Sequence, residues 1–420
     1  MPLKLIQGPP KSGRAGRVRR ELLEALDHDP ILVVPTADDV YAFERELSEG
    51  GAILGATVTN FGGLFRVVAA VAGSPPGVEL TPAQREGAVA AAVGELRSRL
   101  GPLARSARRP GFAGALTRLL DELQGAGLEP EDVEAAAATL EGSAYLADVA
   151  ALFAGYARIR DGLGRIDAHV VAREAIRSLS AAGGSWRGRP VFVYGFDDLT
   201  RNQLSLIEAL REVTEVTVSL PYEEGNAALE AREELLRSLG EIGIDARNET
   251  KASLADDVSP LLFHLERSFG AAAPARMAPA DESLTILRSA GERGEADAIG
   301  TEVARLIAGG ADPEEIAIVV RDPARRGPLL AAVLESYGVH AALDAELSLA
   351  TTAVGGALIA LIEAELGGGR ASDLIRYMRG PSGIAASTVD WFERSVRRQR
   401  ATSATAALGL WRKDELPEDI

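Results

Sequence analysis

Short, wholly apolar runs alternate with amphipathic stretches through the first part of the chain. Leu3, Leu5 and Ile6 form a strand-length run that ends in Gly8-Pro9-Pro10-Lys11-Ser12-Gly13-Arg14-Ala15. Val18, Leu22, Leu23 and Leu26 then recur at helical spacing, which predicts a helix over 17–26 with one apolar face. Pro30-Ile31-Leu32-Val33-Val34-Pro35 is a second apolar run. Thr36 and Asp38 behind it are N-cap residues for a helix through Leu47. Residues 57–61 read as a third strand. Strands alternating with helices at this spacing predict a parallel α/β sheet.

The pattern changes at Pro75-Pro76. Thr81-Pro82-Ala83-Gln84 is a capping box with proline at the first helical position, and helical periodicity continues to about Ile166. Strands return at Pro190–Tyr194 and Glu215–Leu220, and Thr200 with Gln203 forms a second capping box between them. The loose stretch 271–280 reads as a linker. After it the α/β pattern restarts: a strand at Ser283–Leu287, a helix at Glu292–Ala308, a strand at Ile316–Val320 and a helix at Gly327–Tyr337. The last sixty or so residues are helical again, and no repeat period appears.

Composition narrows the function classes. The chain has 420 residues, 46% of them hydrophobic and 25% charged, enough for two or three ordinary globular domains. It has no cysteine, so disulfides, thiolate-held metals and a cysteine nucleophile are excluded. No apolar run approaches the roughly 18–20 residues of a membrane span, and the cytoplasm is the expected compartment. A net charge of −16 opposes indiscriminate nucleic-acid binding. Local basic clusters remain at Lys11, Arg14, Arg17, Arg19 and Arg20, at Arg105, Arg108 and Arg109, and at Arg394, Arg397, Arg398 and Arg400. Each reads first as a solvated helix face and second as a phosphate-contacting patch.

The candidate chemistry lies in the first loop. A buried strand, a glycine-rich turn and a helix N-terminus make up a P-loop, in which backbone amides and the helix end cradle phosphates. Gly8 and Gly13 fit the first part of GxxxxGK[ST], while Arg14 and Ala15 replace the lysine and the hydroxyl residue. A guanidinium can still touch phosphate but differs from an ammonium in size and geometry. Ala15 offers a magnesium ion no oxygen. The same segment is also readable as a strand-to-helix turn that binds nothing. In a motor ATPase the strand at 190–194 would end in an acidic pair. Here Gly195-Phe196 stands there, and Asp197 and Asp198 follow two residues late, where they equally suit a helix N-terminus.

Together, VVPTADDVYAFEREL, TVTNFGGLF, VFVYGFDDLTRNQLSLIEAL and GERGEADAIGTEVARLIAGGADPEEIAIVVRDP resemble the B subunit of AddAB-type helicase–nucleases. The N-terminal half of that family is similar to UvrD-like superfamily 1 helicases. The resemblance implies an α/β fold of two RecA-like parallel-sheet P-loop domains with helical insertions. The first domain would take 1–75 and 166–275, interrupted by a helical insertion at 76–165. The second would start over 283–344 and be followed by a truncated insertion at 345–420. Gly8, Pro9, Pro10, Lys11, Ser12, Gly13, Arg14 and Ala15, with Arg321, would form the nucleotide site. Asp197, Asp198 and Gln203 stand near the family's second motif, and Glu295 and Arg321 match its fourth. Implied ligands and partners are ATP with Mg²⁺ at a degenerate site, DNA as duplex ends or single strand, and an AddA-like partner subunit, with no membrane. The PD-(D/E)xK nuclease domain and its iron–sulfur cysteines have no counterpart here, so the chain reads as the N-terminal part of a larger subunit without a metal site of its own.

Three functions follow. The chain is an ATPase-deficient, helicase-like module acting in DNA double-strand-break end processing and recombinational repair; or a scaffold binding neither nucleotide nor DNA; or a self-contained P-loop NTPase or kinase. The last requires an intact Lys-Ser/Thr pair, which the sequence lacks.

Overall fold

The computed structural model describes residues 3–48, 55–73, 77–140, 143–182, 186, 188–250, 259–273, 282–345, 347–366 and 368–411. Pro75-Pro76 and positions 274–280 of the expected linker lie outside them. The chain divides into two compact units, Met1–Leu284 and Thr285–Ile420.

The first unit opens with β1 (Leu3–Gly8), α1 (Arg14–Glu24), β2 (Ile31–Val33), α2 (Ala37–Ser48), β3 (Thr57–Thr59) and α3 (Phe61–Val71). Four helices follow: α4 (Pro82–Leu96), α5 (Phe112–Gly125), α6 (Pro130–Thr139) and α7 (Ala144–Gly162). Then come α8 (Ala168–Ala182), β4 (Val191–Val193), α9 (Arg201–Arg211), β5 (Val216–Pro221), α10 (Glu233–Ile242), β6 (Ala246–Glu249) and α11 (Pro260–Ser268). The six strands form one parallel sheet in the order β3-β2-β4-β5-β1-β6.

Alternation along each strand decides which helices cover which face. Leu3, Leu5, Ile31, Val33, Val191 and Val193 pack with residues of α3, α8 and α9 in one core. Their neighbours Ile6, Leu32, Val34 and Phe192 pack with Val18 and Leu22 of α1 and Leu47 of α2 in another. Burial on both faces is why β2 and β4 are wholly apolar and β1 and β5 largely so; each fully buried aliphatic side chain contributes about 1.5–3 kcal/mol. The edge strand β6 has the sequence ARNE and alternates between half-buried and exposed, so no apolar run marked it in the sequence.

Helices α4 to α7 carry a core of their own around Val89, Leu120, Leu152, Phe153 and Tyr156. A backbone bridge ties them to the sheet block, with the Leu80 amide donating to the Ile166 carbonyl at 2.8 Å. Asp167, beside that bridge, is buried. Its Oδ2 accepts hydrogen bonds from Gln124 Nε2 (3.0 Å), Tyr156 Oη (3.1 Å) and Arg160 Nη1 (3.0 Å), and its Oδ1 accepts from the Val170 amide (3.0 Å). Burial opposes the charge on Asp167, but the bonds from Gln124, Val170 and Arg160 outweigh it and hold the carboxyl well below the ordinary carboxylate range. The same burial and the adjacent carboxylate push the Tyr156 phenol up.

The second unit contains α12 (Gly291–Ala308), α13 (Pro323–Ser336), α14 (Ala353–Leu366), α15 (Ala371–Arg379), α16 (Ala386–Arg398) and α17 (Ala404–Trp411). Helix α13 starts four residues earlier than periodicity suggests, because Asp322 caps it (Arg325 amide to Oδ1, 3.1 Å) and Pro323 sits at its first position. The strands expected at Ser283–Leu287 and Ile316–Val320 are not formed: among the described residues this unit has no sheet strand. Over 316–320 the expected alternation is present, with Ile316, Ile318 and Val320 half-buried in a cleft also lined by residues of α12 and α13. The ladder is missing. Val319 is 91% exposed and Ile286 79% exposed, with no paired neighbour to make either segment a sheet. The described residues thus hold one parallel sheet where two were expected. No described helix is long and apolar enough to cross a membrane.

Candidate nucleotide-binding loop

The loop emerges where α/β folds bind ligands, at the carboxyl end of a parallel strand. β1 ends at Gly8, whose carbonyl accepts the Tyr222 amide at 3.1 Å, and α1 starts at Arg14. Two residues adopt left-handed backbone: Gly13, the N-cap, at φ 80°, and Lys11 at φ 55°. Glycine takes this conformation without penalty, whereas lysine there costs on the order of 1–2 kcal/mol. The turn therefore keeps a conformation its own sequence disfavours. No side chain caps α1, which leaves its first amides directed into the loop.

The loop is held from the far side of the sheet. β6 pairs with β1 through Gln7 and Glu249 and places Thr250 against the turn. The Thr250 amide donates to the Gln7 carbonyl at 2.8 Å, and its hydroxyl lies 2.7 Å from Ser12 Oγ. Only glycine fits at position 8: a β-carbon there would stand 2.1 Å from Thr250 Oγ1 and 2.6 Å from the Thr250 carbonyl oxygen.

Arg14 turns inward along the sheet edge. Its Nη1 donates to Ser219 Oγ of β5 at 3.4 Å, and its buried Nε has no partner among the described residues. Burial lowers the guanidinium below its ordinary pKa, with Tyr194 opposing and nearby Arg232 reinforcing that shift. Ala15 is exposed and carries no oxygen.

The residues expected near a second motif each have a local contact. Gly195 has φ 88° and passes close to Pro35, whose Cδ would stand 3.2 Å from an added β-carbon. Phe196 is buried edge-to-face on Phe61, with ring centroids 5.1 Å apart, so the phrases TVTNFGGLF and GFDDLT meet in one core. Asp197 Oδ1 is taken by Arg232, with Nε at 3.0 Å and Nη2 at 2.5 Å. Asp198 accepts the Leu199 amide at 2.8 Å, and Gln203 closes the capping box with Thr200. Gln203, with Phe61, Phe65 and His169, also lines a cavity of about 190 Å³, smaller than the usual ligand pocket. Glu295 and Arg321 belong to the second unit, where Arg326 Nη2 bonds Glu295 at 3.0 Å and Arg321 is exposed.

Within the first unit the fold thus gathers Gly8–Ala15 with Ser219, Tyr194, Arg232, Asp197 and Thr250. Ser219, Arg232 and Thr250 carried no signal in the sequence, because strand pairing and not spacing brings them to the loop. The backbone suits a phosphate. The side chains do not suit a magnesium–triphosphate: Ala15 offers no oxygen, and Asp197 is bonded to Arg232.

Residues 5–240 match the family described as "ADDB, N-terminal". Among curated proteins, the chain is similar to the B subunit of an ATP-dependent helicase/deoxyribonuclease from Desulforudis audaxviator (strain MP104C), 25% identical over 378 residues, covering 82% of this chain and 32% of that protein. It is similar also to the identically named protein from Bacillus subtilis (strain 168), 24% identical over 273 residues, covering 57% of this chain and 23% of the other. The chain spans a third or less of the length of these relatives.

Proposed function

The chain belongs to the family described as ADDB, N-terminal, and from that premise we propose that it is the helicase-like N-terminal part of a helicase–nuclease B subunit. In this reading it acts in processing DNA double-strand ends for recombinational repair, alongside an AddA-like partner, in the cytoplasm. The relatives' shared name, that of one subunit in a helicase/deoxyribonuclease, supports DNA as substrate and a second subunit as partner. A RecA-like reading of the first unit is supported by its parallel sheet, in which β5 separates the loop strand β1 from β4. The order of α12, an inward-alternating extended segment and α13 supports the start of a second such half.

One observation carries the view that this module is not itself a motor. The loop keeps its phosphate-cradling backbone while the groups that drive phosphoryl transfer are replaced: Arg14 is bonded inward to Ser219, Ala15 stands where the metal-binding hydroxyl would be, and Phe196 fills a core position in place of an acid. Phosphoryl transfer depends on positioning and on charge stabilisation by such groups. ATP, if held, would rest on the loop amides from Lys11 onward, since Pro9 and Pro10 have none.

The test is steady-state ATP hydrolysis by the purified chain, with and without duplex DNA. No DNA-stimulated turnover is expected. Stimulated turnover that a Gly13→Ala change abolishes would overturn the non-motor reading. Failure to bind either ATP or DNA would leave a scaffold.

A further inference from the structure

Between Arg370 and Trp411 the chain carries seven arginines and three acids (Asp373, Asp390, Glu393), a local balance of 7 − 3 = +4 within a protein of net −16. Helices α15 and α16 bring five of these arginines to one groove of about 770 Å³: Arg370, Arg376, Arg379, Arg397 and Arg400, with Glu393 as the single acid among its described lining residues, while Asp373, Glu363 and Asp390 pair with Arg370, Arg376 and Arg379. Only Arg397 and Arg400 come from the basic run visible in the sequence; Arg394 and Arg398 do not line the groove, and the other three come from α15 and its cap. We propose that this groove is a phosphate rail for the backbone of duplex DNA. The proposal rests on the DNA-processing reading and adds to it a place and a mode of contact.

A solvated basic face accounts for only part of the arrangement. Arg397 and Arg398 sit in the last turn of α16, where the helix dipole favours cations. Arg370 is the N-cap of α15, at the end where a cation is disfavoured, and its side chain is 75% exposed. Arg400 holds a left-handed backbone (φ 52°) at the mouth of the same groove. Glu393 positions the arginines: it accepts from Arg379 at 2.5 Å and also from Arg397, which sets two guanidiniums side by side. Glu393 is half-buried but both guanidiniums are exposed, and surface pairs are worth roughly 0–1 kcal/mol, so a phosphate can share these guanidiniums at little cost.

The lining also selects the ligand. Among the described residues its apolar lining is aliphatic, such as Ile375 and Val396, with no aromatic. Phe392 and Trp411 pack edge-to-face, with ring centroids 4.9 Å apart, on the core side of this unit. Single-strand binding relies on aromatic platforms for bases, whereas a duplex presents a regular row of phosphates to guanidiniums and needs none. Binding at this groove is therefore indifferent to sequence and sensitive to salt.

The experiment is fluorescence anisotropy of a labelled blunt duplex with the full chain, between about 50 and 200 mM salt. Arg376→Glu/Arg397→Glu/Arg400→Glu is expected to weaken binding at least tenfold and to flatten the log K against log salt slope by about 2–3. The matched reversal Arg105→Glu/Arg108→Glu/Arg109→Glu, which changes net charge equally at another exposed cluster, should leave the slope in place. Arg400→Ala guards against a folding artefact, because Arg400 forms no ion pair among the described residues; it should flatten the slope by about 1. If wild type binds and both triple reversals weaken it equally, or neither does, the groove is wrong while the DNA reading stands. A single strand that outcompetes the duplex overturns the duplex assignment. A wild-type chain that does not bind DNA at any salt overturns the DNA reading, and the groove with it.

Discussion

Asp167 shows how one residue couples two parts of the first unit. Its carboxylate joins Gln124 of α5, Tyr156 and Arg160 of α7 and the start of α8, so the helical block and the sheet block share one buried charge. Removing one partner of such a network leaves the others unpaired, and Asp167→Asn is expected to cost about 3–5 kcal/mol. Because the folded-state pKa lies below the unfolded value of about 3.9, the stabilisation is complete above that value. It is lost only as pH falls through the lower folded value. Chemical denaturation at neutral pH should show the full deficit, and the gap between variant and wild type should close only in strong acid. Equal stability at neutral pH would mean that the network is not formed.

The same scale separates what could be read from what could not. Gly8 and Gly13 were legible because only glycine suits a close approach to Thr250 or a left-handed N-cap, and their spacing is local. The direction of Arg14 was not legible. It depends on Ser219, 205 positions away, and on how β1 and β5 pair. Gly195-Phe196 was visible as a missing acidic pair, but its positive role, a ring packed edge-to-face on Phe61, required the fold.

Among the elements, the capping boxes are the most local signals, and the structure contains both of those expected, at Thr81–Gln84 and Thr200–Gln203. The second fixes the start of α9 directly after the altered second motif. Thr200→Ala removes the oxygen that accepts the Gln203 amide and should cost about 1 kcal/mol, read as a shift in denaturation midpoint without a change in slope. No shift would indicate that the cap is satisfied by water. Strands were legible where apolar or β-branched residues cluster. β2 and β4 are wholly apolar, β1 and β5 largely so, and β3 is β-branched throughout, whereas β6 is half-exposed and polar. The segment 316–320 shows the opposite failure: its alternation is real and faces a packed side, yet alternation reports burial and not hydrogen-bonded neighbours.

At the scale of the whole molecule, the proposed function makes the first unit a nucleotide-binding α/β frame around a loop whose chemical side chains have changed. The most direct test compares nucleotide affinity, with and without Mg²⁺, for the wild-type chain and for Arg14→Lys/Ala15→Thr. The double variant restores an ammonium and a metal-binding hydroxyl to an unchanged backbone. The expected result is that wild type binds ATP weakly and indifferently to Mg²⁺. The variant should bind more tightly and gain Mg²⁺ dependence, yet hydrolyse little, since Gly195-Phe196 still supplies no acid. Strong, Mg²⁺-dependent ATP binding by the wild-type chain, with no gain in the variant, would contradict the claim that the loop has kept its frame and lost its chemistry.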